Sequence, residues 1–77
     1  MNKFRRKQLD KAWGLLMEAS QIIEEVKSDE EEAHDNLPES LQESERGEQM
    51  QEYIDTMDEL LRELDCILSD VDGIVNG

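Results

Sequence analysis

A glutamate three residues ahead of a histidine, Glu31 and His34, is the one pairing in this 77-residue chain with metal-ligand spacing. Supplied twice in a four-helix bundle, such a Glu-x-x-His pair can hold a di-metal centre. The heptad phase described below makes Ala33 the inward residue of this stretch, which turns Glu31 and His34 toward the flanks. The second half of the chain has no acidic residue on its apolar lines to complete a ligand set. No metal is therefore expected, and His34 reads as a solvated residue near a helix end. Cys66, the single cysteine, falls between inward positions with acids beside it. The electropositive surroundings that activate a catalytic thiol are missing, so a structural role is expected. The acidic runs 29–32 and 55–59 lack the alternating ligands and fixed glycine of a calcium loop. No glycine-rich phosphate loop and no nucleophile triad pattern is present. The expectation is a protein without catalytic residues or cofactor, not an enzyme.

Charge offers binding chemistry instead. The formal net charge is −13 and it is unevenly placed. Residues 1–11 carry Lys3, Arg5, Arg6, Lys7 and Lys11 against Asp10 alone, a net +4, and residues 12–77 carry a net −17. A surface this acidic repels nucleic acid and favours basic protein partners. Glu52, Asp55, Glu59 and Glu63 recur at helical spacing off the main apolar lines and form the candidate acidic partner surface. The alternative is that the charge serves solubility only. The basic cluster has two readings of its own. Asp65, Asp70 and Asp72 could neutralise it across a hairpin. Alternatively, several copies converging in an oligomer could grip the oxygens of a small phosphorylated ligand.

The elements that position these groups follow from apolar spacing. Leu9, Leu16, Ile23 and Leu37 share one heptad position, and Ala12, Ala19, Val26 and Ala33 share the position three residues on. Leu15 and Ile22 widen the stripe on one side and Trp13 on the other. Recurrence at three and four marks an amphipathic helix, over about residues 3–35. Gly14, the one poor helix former in its body, suggests close approach of a neighbouring helix. A second helix, over about 45–75, carries three lines: Met50, Met57, Leu64 and Val71; Tyr53, Leu60, Ile67 and Ile74; Ile54, Leu61, Leu68 and Val75. Gly73 should loosen its last turn. Three lines exceed the two-line seam of a two-stranded coiled coil. A second hairpin would cover the surplus, with Leu9, Leu16, Ile23, Met57, Leu61, Leu64 and Leu68 in the core of the oligomer.

Between the helices, residues 36–44 form the turn. Pro38 pushes Leu37 out of helical geometry. Ser40 and Glu43 have capping-box spacing, and Ser44 stands before an acidic first turn. A short helical turn is expected near 38–42, with Leu37 and Leu41 as an apolar plug and Arg46 paired to Asp35 or Glu43. Glu39, Glu43 and Arg46 are the candidate recognition residues if this end is a binding tip.

The segment 35–48, D-N-L-P-E-S-L-Q-E-S-E-R-G-E, together with Arg5-Arg6-Lys7 and Lys11-Ala12, resembles a group of small acidic proteins. They are uncharacterised products of bacteriophages and mobile elements in Gram-positive, often gut-dwelling, bacteria. The resemblance covers most of the chain and carries no active residue. It implies the cytoplasm of a bacterial host and a phage accessory role, including interference with a host defence system. The lone cysteine suits a reducing compartment as well. No apolar run nears the roughly 18 residues that span a bilayer, so no membrane partner is expected.

The sequence thus predicts one all-α domain, an antiparallel helical hairpin that self-associates, as a dimer forming a four-helix bundle. The expected function is to bind and inhibit or modulate a basic host protein without direct contact to nucleic acid. A structural assembly module and an oligomeric sponge for a nucleotide-like signal are the alternatives.

Overall fold

The computed structural model describes residues 1–77. Helix α1 spans Lys3–Asp35, α2 Glu39–Gln42 and α3 Glu45–Val75. α1 packs antiparallel along α3 in a rod whose Cα extents are 58 × 14 × 13 Å. Its radius of gyration is 17.3 Å, against about 11–12 Å for a compact globule of this length. The hairpin is therefore an exposed rod with a thin seam.

Each long helix begins on a side-chain cap. Asn2 accepts the N–H of Arg5 through Oδ1 at 2.8 Å, and Ser44 Oγ accepts the N–H of Gly47 at 3.4 Å. α1 stops where Pro38 takes an extended ψ of 147°, and the Asn36 N–H closes on Glu32 O at 3.0 Å. The reversal is held by its own main chain. Leu37 N–H donates to His34 O, Gln42 N–H to Pro38 O and Ser44 N–H to Leu41 O, all within 3.2 Å. Gln42 Nε2 adds a bond to Leu37 O at 3.0 Å, and the Ser44 hydroxyl donates to Leu41 O.

Several turn features differ from the sequence reading. Ser40 and Glu43 do not form a capping box, because the N-cap of α2 is Pro38 and no side chain caps it. Leu37 is half-buried but Leu41 is 44% exposed, so the apolar plug is Leu37 alone. Arg46 reaches neither Asp35 nor Glu43 and stays exposed. The glycine that a close approach requires is Gly47, not Gly14. A Cβ at 47 would lie 2.5 Å from the Leu41 carbonyl oxygen and nearer still to that of Gln42; one at 14 would meet nothing within 4 Å. Gly73 sits inside regular helix, which continues to Val75.

The seam has a different phase from the expected one. Leu9, Leu16, Ile23 and Leu37 face α3. Their partner line is Trp13, Ser20, Lys27 and His34, four residues on, all half-buried. Ala12, Ala19, Val26 and Ala33 lie exposed. Two members of this inward line, Trp13 and Lys27, span the interhelical gap and find acceptors across it. Trp13 Nε1 donates to Leu68 O at 3.0 Å, and Lys27 Nζ donates to Asp58 Oδ1 at 3.1 Å. On α3 the seam takes Met50, Met57, Leu64 and Val71 with Ile54, Leu61, Leu68 and Val75. Only Ile54 and Leu68, 7% and 6% exposed, are buried apolar residues.

Candidate interaction surfaces

Seven seam residues, Leu9, Leu16, Ile23, Met57, Leu61, Leu64 and Leu68, were expected in an oligomer core. The structure places them between α1 and α3 of one hairpin, where they are half-buried or buried. What the hairpin leaves uncovered is another set. On α3 these are Tyr53, Leu60, Ile67 and Ile74, 40–53% exposed. On α1 they are the alanine line with Val26, and Leu15 and Ile22 beside it, the last two 58% and 55% exposed.

Helical phase puts both uncovered sets on one side. In each helix the line lies three residues on from a seam line, so it is rotated the same way about its own axis. The two helices face each other and run in opposite directions. Equal rotations then bring both lines to the same face of the hairpin, an apolar strip along most of the rod.

The opposite face is polar and carries the chain's best-formed ion cluster. Lys27 Nζ lies 3.1 Å from Asp58 and 3.3 Å from Glu31, and Arg62 pairs with Asp58 from the next turn of α3. Hydrogen bonds from Arg62 and then Lys27 hold the Asp58 carboxyl below its ordinary range. The bonds to Asp58 and then Glu31 raise Lys27 in turn, and Asp58 raises Arg62. A shallow groove here is lined by Lys27, Glu31, His34, Gln51, Asp55 and Asp58. His34 is only 17% exposed at its side chain, with Nδ1 4.0 Å from Asp35, so it is a seam residue and not a solvated one. Its neighbours do not form a set of His, Cys or acid side chains able to hold a metal ion. Lys27 escaped the sequence reading; the signal was its heptad position between Ser20 and His34, seven residues from each.

The remaining candidates are all on the surface. Glu52, Asp55, Glu59 and Glu63 are exposed along the outer side of α3, Asp55 accepting from Gln51 at 3.0 Å. Glu39, Glu43 and Arg46 are exposed at the turn, and Cys66 is exposed on α3 rather than packed. At the other end Lys3, Arg5, Arg6, Lys7 and Lys11 are all exposed, and no carboxylate comes within 4.0 Å of any of them. The expected neutralisation by Asp65, Asp70 and Asp72 does not form, because these acids project to solvent from α3. Nor does α1 carry an acid in its first turn to complement the positive helix pole.

No helix is long and apolar enough to cross a membrane. No protein-family model, curated protein or solved structure matches the chain.

Proposed function

We propose that the chain is a non-catalytic binding protein that pairs with a second copy as a four-helix bundle and presents its carboxylates to a basic protein. The observation that carries this reading is the uncompensated charge. Of 21 acidic residues, only Glu31, Asp35 and Asp58 lie within ion-pair reach of a cationic group or His34. The strip Glu52, Asp55, Glu59 and Glu63 is exposed along α3 and makes no ion pair. Such a strip attracts a basic groove over long range and gains little from intramolecular pairing. The apolar strip supplies the reason to dimerise, since a hairpin with two buried apolar residues has little core of its own. The resemblance of segment 35–48 to phage and mobile-element products fits an accessory role in a bacterial cytoplasm. There the basic target is a host protein, such as a component of a defence system.

The test is reversal of Glu52, Asp55, Glu59 and Glu63 to lysine, with helicity checked by circular dichroism. The parent should capture a basic host protein at low salt and release it as salt rises, because exposed charges are screened beyond about 8–10 Å. The folded lysine variant should lose that capture. Equal capture by the two forms sinks the acidic-surface reading and leaves an assembly module whose charge serves solubility.

A further inference from the structure

The uncovered apolar strip is nearly symmetric along the rod. Paired across the hairpin by the Trp13–Leu68 and Lys27–Asp58 contacts, Ile74 lies near the level of Leu9 and Tyr53 near that of Glu30. The strip is therefore centred along the rod, and its extent favours neither orientation of a second hairpin. The apolar strip runs about 33 Å, roughly 22 residues at 1.5 Å each, of the rod's 58 Å.

Charge is not symmetric. Residues 28–55, which make up the turn end, hold eleven carboxylates against Arg46. The opposite end holds Lys3, Arg5, Arg6, Lys7 and Lys11 against Asp10, Asp70 and Asp72, and its cations are without ion-pair partners. Arg5 continues the line of Ala12 and Ala19, so it stands at the end of the apolar strip itself. Rods aligned the same way would set two acidic turn ends side by side and two basic ends side by side. Rods aligned oppositely place each basic end against the other copy's acidic turn end, where Asp29 continues the line of Leu15 and Ile22 and Glu32 lies beside it.

We propose that the two hairpins of the dimer pack antiparallel, with the basic first turns of each α1 seated against the acidic turn end of its partner. This inference rests on the self-association proposed above and adds its orientation. The apolar strip supplies adhesion without preference, and the end charges supply the preference, as like charges side by side cost energy and opposite charges gain it. It also gives the cations at the positive pole of α1 the carboxylates that their own chain does not provide.

A spin label at Ser40→Cys, in a Cys66→Ser background, reads the orientation by dipolar distance. Antiparallel rods put the two labels at opposite ends, near the 58 Å length of the hairpin. Parallel rods put them roughly 10–20 Å apart, the spacing of one or two helical layers. The long distance is expected. In a second variant Arg5, Arg6, Lys7 and Lys11 become glutamate, which removes the end-to-end contrast, and a short-distance population should then appear beside the long one. A short distance in the parent overturns the proposal, as does a charge-reversed variant that keeps only the long one. A label pair with no dipolar coupling and a monomeric mass overturns the dimer itself, a different failure.

Discussion

The indole N–H of Trp13 donates to the backbone carbonyl of Leu68, 3.0 Å away and 55 residues later in the chain. With the Lys27–Asp58 bond it is one of two side-chain hydrogen bonds that join α1 to α3, and it sets their register. Leu68 is among the two buried apolar residues, so the bond and the core coincide at one level of the rod. Trp13→Phe keeps the aromatic packing and deletes the donor. The expected loss is about 0.5–1.5 kcal/mol in chemical denaturation, the net worth of one hydrogen bond. No change would mean that the register is held by packing alone.

Two glycines should respond with opposite signs. Gly14→Ala adds a methyl group into open space in a helix interior and should stabilise by roughly 0.5–1 kcal/mol. Gly47→Ala drives a methyl group into the Leu41 and Gln42 carbonyl oxygens and should destabilise by roughly 1–3 kcal/mol. Urea midpoints of the two variants measured side by side decide the matter.

The seam and the uncovered strip should separate stability from assembly. Leu68→Ala should cost about 2–5 kcal/mol, the range for truncating a buried leucine. Leu60→Glu with Ile22→Glu, both at exposed positions, should leave the helices formed but yield a monomer by sedimentation, with a midpoint independent of protein concentration. A parent protein that is monomeric at micromolar concentration would remove the four-helix bundle.

Acid should destabilise the hairpin through Asp58. The Asp58 carboxyl is held below its ordinary value of 3.8, so its contribution is complete above about 3.8 and is lost as pH falls through the lowered value. Lys27 is raised above 10.5, so its contribution is complete below that value and fades only as pH climbs through the raised one. Between these limits the ion cluster is constant. The thermal midpoint should fall as pH drops below ~3.8, and the fall should be shallower in Asp58→Asn. Equal falls in the parent and Asp58→Asn would contradict this account.

The hairpin itself was legible in the residue order, because its signals are local. Apolar recurrence at three and four residues specifies a helix wherever it occurs, and Pro38 and Ser44 act on their immediate neighbours through ring sterics and capping. Which line of α1 turns inward was not legible. Ala12, Ala19, Val26 and Ala33 make the more apolar line, and hydropathy prefers them to Trp13, Ser20, Lys27 and His34. The choice depends on groups more than thirty residues away: the Leu68 carbonyl for Trp13 and the Asp58 carboxylate for Lys27. Gly47 is similar, since its need to be glycine comes from the path of the Leu41 and Gln42 backbone and not from any residue beside it. Charge asymmetry is written in composition, yet it says nothing of contact. Only the fold reveals that the basic end finds no acid on its own chain and that the apolar surplus of both helices gathers on a single face. Side-chain reach and the opposed directions of two helices decide those points, and both are properties of a third dimension that periodicity along a chain does not carry.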